Sequence, residues 1–217
     1  TYDERLLKAY LDGEFCNLQQ GSTYYAFNRN RHTGSVSYNS NLPVRIGMDW
    51  NVDPLCAVIW QQYDKKPNIR VVAEISLHHA GEGDLMTQRM CDTVRETYPN
   101  NNYVAYPDAT GRARSSSAKY SDISLVRRNR FKVNVNHTNP NVVNRVNAVN
   151  KQLADKNILI DRSCKDLIAD LEKVTNKQGT REIDKSNKSL SHMTDAFGYA
   201  VSWEFPVIRP SVGISDR

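Results

Sequence analysis

The compact part of the chain begins with three stretches whose hydrophobic and polar residues follow the pattern of β-strands. In VRIGMDW, residues 44–50, apolar side chains occupy every second position from Val44 to Met48, and Asp49 falls on the other face. The runs PLCAVIWQQY and NIRVVAEISLHH come next, and DKKPN between them is suited to a hairpin connection. These patterns predict a meander of three consecutive strands.

Beyond the meander, patterns typical of helices and of strands alternate. GDLMTQRMCDTVRETY, NVVNRVNAVNKQLADK and SCKDLIADLEKV repeat apolar residues at helical spacing, and the short runs NYVAYPD, RFKVNVN and NILID are strand-like. The charged stretch TNKQGTREIDKSNK predicts a hairpin that turns at Gln178–Gly179. A meander followed by βα units predicts an α/β fold, in which helices flank a mixed sheet.

The last predicted helix, KSLSHMTDAFGYAVSWEF at residues 188–205, has the pattern of a helix buried on both sides. Apolar residues recur from Leu190 to Val201 at helical spacing, and the opposite face is polar but nearly uncharged. Between its two ends, Asp195 is the only side chain whose ordinary pKa leaves it charged at neutral pH. A bound metal ion that neutralises the carboxylate would explain why Asp195 is tolerated in such a helix.

The first 43 residues differ in pattern from the rest. TYDERLLKAYLDGEF, residues 1–15, predicts a short amphipathic helix, and NRNRHTGSVSYNSNLP, residues 28–43, is polar and predicts an extended or loosely ordered connector. We therefore interpret residues 1–43 as a linker, residues 44–206 as the compact domain and residues 207–217 as a flexible tail.

Composition and charge narrow the class of protein only slightly. The 217 residues include 29 Lys and Arg against 24 Asp and Glu, and this net charge of +5 is compatible with a polyanionic partner. No apolar run of membrane length occurs, so we expect no association with a membrane. The phosphate-binding pattern G-x-x-x-x-G-K-[ST] is also missing, so any nucleotide-driven motor is expected outside this sequence.

Three aspartates lie where α/β folds collect functional groups. Asp49 ends the first strand, Asp108 follows the fourth main strand and Asp195 lies in the closing helix. If those two strands are neighbours and the helix packs across them, the three carboxylates converge. Divalent Mg²⁺ or Mn²⁺ would relieve their repulsion, and two such ions about 3.5–4 Å apart can activate water beside a phosphodiester. Alternatively, each aspartate serves as a cap, a turn residue or half of an ion pair.

RIGMDWN, YPDATG and SHMTDAFGYAVSWEFP resemble the three acidic motifs of the nuclease domain of phage terminase large subunits. The resemblance covers roughly residues 44–206. It implies a ribonuclease H-like fold and an endonuclease that cuts concatemeric viral double-stranded DNA during genome packaging. It also implies that Asp49, Asp108 and Asp195 are the catalytic triad, which binds two Mg²⁺ or Mn²⁺ ions.

The same resemblance implies a setting for the domain. Residues 1–43 would include the connector from an N-terminal ATPase domain, and the partners would be double-stranded DNA, the portal protein and the small terminase subunit. The protein would act in the cytoplasm of an infected bacterium. Two other functions remain open at this point: another ribonuclease H-like nuclease, such as a Holliday-junction resolvase or a transposase, and a non-catalytic DNA-binding or docking module.

Three more residues are candidates for supporting the metal ligands. Asn51 follows Asp49 by two positions and could reach a metal-bound water. Glu74 is either an outer carboxylate near the metals or an exposed residue at a sheet edge. His192, three residues before Asp195 on the same helical face, either orients a ligand and shuttles protons or is a hydrogen-bonded structural histidine.

Basic residues are interleaved with the acidic motifs. A run of charge is usually a solvated surface, but closeness in sequence to the proposed metal site favours phosphate contacts for some of them. The candidates for DNA binding are Arg112, Arg114, Lys119, Lys177, Arg181 and Lys185. Phosphate contacts do not read bases, so DNA binding is expected to be salt-sensitive and nearly independent of sequence.

Overall fold

The computed structural model describes residues 21–50, 53–64, 67–81, 85–112, 120–187 and 189–207. The described strands are β1 (Thr33–Gly34), β2 (Val44–Asp49), β3 (Leu55–Gln62), β4 (Ile69–Leu77), β5 (Tyr103–Pro107), β6 (Lys132–Val133) and β7 (Ile158–Asp161). The described helices are α1 (Arg29–His32), α2 (Met86–Thr97), α3 (Asp122–Arg128), α4 (Val142–Ala154), α5 (Lys165–Lys173) and α6 (His192–Glu204), with a 3₁₀ helix at Ala109–Arg112. The helix predicted at residues 1–15 and residues 208–217 of the predicted tail lie outside the described residues.

The strands form one mixed sheet in the order β1-β7-β4-β3-β2-β5-β6. Strands β2, β3 and β4 are antiparallel neighbours, whereas β5 lies parallel to β2 and β7 lies parallel to β4. Because parallel neighbours need crossover connections, helices separate the later strands along the chain. The predicted α/β fold, a three-strand meander followed by βα units, is confirmed.

Helices cover both faces of the sheet. On one face, Ile46 and Met48 of β2 pack in an apolar cluster with Val94 of α2. On the other face, Val58 and Trp60 of β3 belong to a second cluster, to which α4, α5 and α6 contribute. Every residue of β3 except the last is buried, as expected for a central strand covered on both sides. Neither these nor the other helices in the described ranges are long and apolar enough to cross a membrane.

The closing helix α6 lies directly against β2 because Gly47 has no side chain. A Cβ atom at Gly47 would lie 2.1 Å from the backbone oxygen of Ala196 and 3.4 Å from the Cβ of Ala200. Any larger residue would therefore push the helix away from the strand. This close approach places Asp195, the neighbour of Ala196, beside the end of β2.

Residues 21–43 pack against the domain, and of the two forms predicted for residues 28–43, extended or loosely ordered, the structure favours the extended one outside α1. Strand β1 pairs in parallel with β7, and Tyr24 is buried in the second cluster. The ring of His32 is buried, with Nδ1 2.9 Å from the backbone N of Asn28 and Nε2 3.1 Å from the carbonyl oxygen of Leu153. The polar composition of the segment did not indicate that Tyr24 and His32 anchor it, because the partners of both residues are distant in sequence. That the segment links to another domain stays a prediction.

The charged stretch after α5 turns back on itself, as predicted. Asn176 and Ile183 form an antiparallel bridge, and the backbone N–H of Lys177 donates to the carbonyl of Glu182 at 2.8 Å. Gly179 has φ of +70°, a left-handed conformation that glycine adopts without strain. The hairpin therefore turns at the predicted Gln178–Gly179 position and leads the chain back towards α6.

Candidate functional site

Asp49 and Asp108 lie side by side because β2 and β5 are parallel neighbours. Met48 pairs with Pro107 in the register of the two strands, and the backbone N–H of Asp108 donates to the carbonyl of Met48 at 3.0 Å. Both aspartates follow directly from this last pair, at the carboxyl edge of the sheet. The first condition for convergence of the three carboxylates, that the two strands are neighbours, is therefore met.

Asp195 joins them from α6. The exposed fractions of Asp49, Asp108 and Asp195 are only 6%, 8% and 4%. Burial, the largest cause, raises the pKa of Asp49 above its ordinary value, and the charges of Asp195 and Asp108 raise it further, while His192 opposes the shift. The three carboxylates are thus close enough for their charges to interact, and they form a buried centre of negative charge.

Neutral hydrogen-bond donors hold the side chain of Asp108. Its Oδ1 accepts from the backbone N–H of Thr110 at 2.7 Å and from the Asn139 amide at 2.6 Å. Its Oδ2 accepts from the Tyr199 hydroxyl at 3.2 Å. The indole N–H of Trp50 donates to the backbone carbonyl of Asp108 at 2.9 Å. These contacts fix the carboxylate without cancelling its charge.

Positively charged groups hold the side chain of Asp195. The guanidinium of Arg145, on α4, lies 2.5 Å from Oδ1, and the ammonium of Lys185 lies 3.3 Å from Oδ2. Arg145 is buried, whereas the Lys185 side chain is 63% exposed. Arg145 also lies over the Tyr199 ring, with its guanidinium carbon 4.4 Å from the ring centre. From the sequence, a metal ion was expected to neutralise Asp195, but two cationic side chains of the protein itself already contact it.

His192 faces Asp49 rather than the aspartate of its own helix. Its Nδ1 lies 3.4 Å from Oδ2 of Asp49, across the contact between α6 and β2. Of the two roles considered for His192, this position favours orienting a carboxylate of the site.

Asp170, which the sequence analysis did not single out, holds the start of α6. Its Oδ2 accepts from the backbone N–H groups of Met193 at 3.0 Å and Thr194 at 3.4 Å. The N-cap residue Ser191 makes no side-chain cap hydrogen bond of its own, so Asp170 replaces it. Burial raises the pKa of Asp170 to about 6, against the effect of these hydrogen bonds. The position of Asp170 on the same helical face as Leu167 was the available signal.

Glu74 has a different task from the two considered for it. Its carboxylate oxygens accept from the backbone N–H groups of Asp166 at 2.9 Å and Leu167 at 2.8 Å, so Glu74 caps the N-terminus of α5. A carboxylate is favourable there because the helix dipole is positive at this end. Glu74 thus acts on the helix that carries Asp170.

The candidate DNA-binding residues fall in different places. The guanidinium of Arg112 donates to the carbonyls of Val135 and Asn136, and Lys177 pairs with Glu182 in the hairpin. Arg181 is exposed in the same hairpin, and Lys185 lies beside Asp195, an acidic residue of the site. The candidates that lie outside the described residues are Asn51, Arg114 and Lys119.

The donor chemistry of the site fits a hard divalent cation. Carboxylate oxygens are the ligands that Mg²⁺ and Mn²⁺ prefer. Burial, and to a smaller extent the charges of Asp195 and Asp108, raise the pKa of Asp49, and a bound cation would oppose that shift. In the part of the chain that the structure describes, however, no three His, Cys, Asp or Glu side chains are already grouped to hold an ion. One oxygen of Asp195 is turned to Arg145. Among the described residues, the three carboxylates are therefore close together but are not arranged around a common point.

The fold and these three acids define the class of the protein. Residues 46–204 match the model of the family described as terminase RNaseH-like domain. The match spans most of the chain, so the chain belongs to this family. No curated protein sequence matches the chain significantly.

Solved structures similar to this chain include terminase proteins. A large terminase from a thermophilic bacteriophage superposes with a TM-score of 0.64 at 19% identity, covering 84% of this chain and 45% of that one. The P22 large terminase nuclease domain gives 0.63 at 10% identity, covering 84% of this chain and 93% of that one. The large terminase nuclease domain from bacteriophage SPP1, with bound Mn, gives 0.51 at 18% identity and covers 80% and 96%. The ribonuclease H-like fold is confirmed, and the chain spans less than half of the first of these proteins.

Proposed function

We propose that this domain is a divalent-metal-dependent endonuclease that cuts double-stranded viral DNA during genome packaging. The observation that carries the proposal is the convergence of Asp49, Asp108 and Asp195 as buried, interacting carboxylates in a member of the terminase family. The manganese bound to the SPP1 nuclease domain supports a divalent cation as the cofactor.

In the proposed mechanism, the three aspartates would hold two Mg²⁺ or Mn²⁺ ions. When bound, the ions supply Lewis-acid activation of water and of the phosphodiester. Tyr199 keeps the Asp108 carboxylate in place, and His192 orients Asp49. Burial of the acids excludes bulk water and strengthens every charge interaction in the site.

The DNA path in this proposal runs over the basic residues near the acids. Lys185 is exposed and lies at the rim of the site, where it can contact a phosphate. We extend the proposal to Arg181 and Lys177 of the hairpin, to Arg112 at the end of the 3₁₀ helix, and to Arg114 and Lys119, which follow this helix in the sequence. Such contacts would neutralise phosphates and position the duplex.

The wider setting is also part of the proposal. An N-terminal ATPase domain would supply the motor, the portal protein and the small terminase subunit would be partners, and packaging would take place in the cytoplasm of the host. The basis for this setting is family membership together with the partial coverage of the large terminase.

The test is cleavage of plasmid DNA by the protein in Mg²⁺ or Mn²⁺, with EDTA as the metal-free control. Asp108→Asn and Asp195→Asn are expected to lose cleavage on the order of a thousandfold, more than the about 10–100-fold typical of residues that only support a ligand. Asp92→Asn, which changes a half-exposed acid on the opposite face of the sheet, is the matched control and should cleave normally. Cleavage that persists in EDTA or in both site variants would refute the proposal. A marked preference for four-way junctions would instead favour a resolvase.

A further inference from the structure

Arg145 is buried where a charge is costly. Only 3% of the residue is exposed, and its aliphatic stem crosses α6 at Gly198. A Cβ atom at Gly198 would lie 2.6 Å from Cγ and 2.9 Å from Cδ of Arg145, so the helix makes room for this side chain. A buried guanidinium is tolerated only with a well-placed counter-charge.

The contacts of Arg145 concentrate its charge on one aspartate. Its guanidinium lies 2.5 Å from Oδ1 of Asp195, and both side chains are almost fully buried. Its Nε is also buried but has no hydrogen-bond partner among the residues that the structure describes. Arg145 is thus not fully satisfied as a hydrogen-bond donor, and its main contribution is positive charge at Asp195.

This charge lies against one of the carboxylates that would hold a metal ion in the proposed site. A divalent cation that binds Asp195 must approach Oδ1, which Arg145 already contacts, or Oδ2, which faces Lys185. Either approach brings two positive charges close together in a buried site, where water screens them poorly. Lys185 can swing into solvent because it is exposed, but the stem of Arg145 is enclosed beside Gly198.

We propose that Arg145 is a positioning residue that competes with the divalent cation for Asp195: it holds the carboxylate while the site has no metal and weakens the binding of the cation. The inference rests on the proposed function, because the cation is the proposed cofactor. It also explains why the three aspartates are gathered without forming a ready group of ligands.

The test uses binding of Mn²⁺ alone, measured by calorimetry or by electron paramagnetic resonance of the free ion. Arg145→Met keeps the length of the stem and removes the charge, so it should bind Mn²⁺ at least about tenfold more tightly than the unchanged protein. Arg145→Lys keeps the charge and should stay close to the unchanged protein. Lys185→Gln is the matched control at the other oxygen, and its effect should stay below about threefold because solvent screens the exposed charge.

Thermal unfolding gives a second readout that does not depend on activity. In EDTA, Arg145→Met should unfold at a lower temperature because Asp195 loses its buried counter-charge. Mn²⁺ should restore this loss and should stabilise the variant more than it stabilises the unchanged protein. If the variant does not fold in EDTA, refolding is measured in Mn²⁺: recovery of folded protein supports the inference, and failure to recover overturns it.

The outcomes separate this inference from the proposed function. Mn²⁺ binding that Asp195→Asn abolishes but that Arg145→Met leaves unchanged or weaker overturns the competition by Arg145 and leaves the nuclease intact. If neither the unchanged protein nor Arg145→Met binds Mn²⁺ in a manner that depends on Asp195, the proposed metal site itself is refuted.

Discussion

Asp108 and Asp195 lie in the same buried centre, yet the protein holds them by different chemistry. The carboxylate of Asp108 accepts hydrogen bonds from neutral donors, among them the Tyr199 hydroxyl. The carboxylate of Asp195 faces two cationic groups, the buried Arg145 and the exposed Lys185. Neutral donors fix a carboxylate and leave its charge available to a cation, whereas cationic partners fix it and offset that charge.

The difference teaches that structural support and charge balance are separate requirements in this site. Asp108 depends little on a counter-charge inside the protein, so its removal should cost mainly function. Asp195 shares a buried ion pair, so its removal should cost function and folding together.

The largest expected effect that sharpens this comparison is on stability. Asp195→Asn leaves the Arg145 guanidinium buried without its counter-charge, so the free energy of unfolding should fall by about 3–5 kcal/mol. Asp108→Asn keeps a polar side chain among neutral donors and should lose only about 1 kcal/mol. Urea unfolding of the two variants in EDTA measures both values.

A double variant provides the control for that result. Asp195→Asn combined with Arg145→Met removes both charges, so its loss of stability should be smaller than the sum of the two single losses. Equal losses for Asp108→Asn and Asp195→Asn would show that the two carboxylates are supported alike, contrary to the comparison.

The next effect concerns the pH dependence of stability and Asp170. Neutral donors hold this carboxylate, as they hold that of Asp108. Its pKa of about 6 in the folded protein lies above the ordinary value near 3.9. The folded state therefore binds the proton more tightly, and the stabilisation from this proton, about 3 kcal/mol, is present below about pH 4 and is lost as the pH rises through about 6. Asp170→Asn keeps an oxygen that can accept from Met193 and Thr194 and should lack this loss.

The measurement is the free energy of unfolding by urea at about pH 4 and about pH 7. Other titrating groups contribute to both proteins, so the informative quantity is the difference between the two pH dependences. Identical dependences for the unchanged protein and Asp170→Asn would exclude Asp170 as the group responsible.

The smallest expected effects concern Tyr199, a neutral donor to Asp108, and Lys185, the exposed cation at Asp195. Tyr199→Phe keeps the ring beneath Arg145 but removes the hydroxyl that donates to Asp108, so metal-dependent cleavage should fall about 10–100-fold. Lys185→Gln should leave the free energy of unfolding within about 1 kcal/mol, because its charge is screened by water. Plasmid cleavage and urea unfolding of both variants are compared, and a Lys185→Gln protein that unfolds as easily as Asp195→Asn would contradict the assignment.

The fold could be predicted from local signals, whereas the catalytic role of the three acids was inferred from the family resemblance and stays a prediction. Alternation predicted the strand that ends at Asp49, and the sheet order shows that this strand is the neighbour of the one before Asp108, which could only be assumed from the sequence. Arg145 could not be found from local signals, and Asp170 offered only its place on the apolar face of its helix. Arg145 meets Asp195 only in the tertiary structure, 50 residues along the chain, and Asp170 meets the start of α6 more than 20 residues away. A buried ion pair between distant residues leaves no periodic pattern in the sequence, so it could not be predicted.

The same reasoning applies to the first 43 residues and to Glu74. Composition marked residues 28–43 as polar, but the segment is held by a few specific contacts, such as that of His32 with Leu153. Glu74 looked like a residue of the site because it alternates with apolar neighbours, yet the partner that determines its role is the distant N-terminus of α5.

Two glycines, Gly47 beside α6 and Gly198 within it, have a consequence for protein engineering. Gly47 lets the helix touch the strand on one side, and Gly198 admits the stem of Arg145 on the other. The position of the helix that carries Asp195 therefore depends on the absence of a Cβ atom at both positions. A designer who transferred the three aspartates to another scaffold, but placed alanine at either position, would reproduce the three carboxylates. The spacing between the carboxylates would change, because the helix would shift.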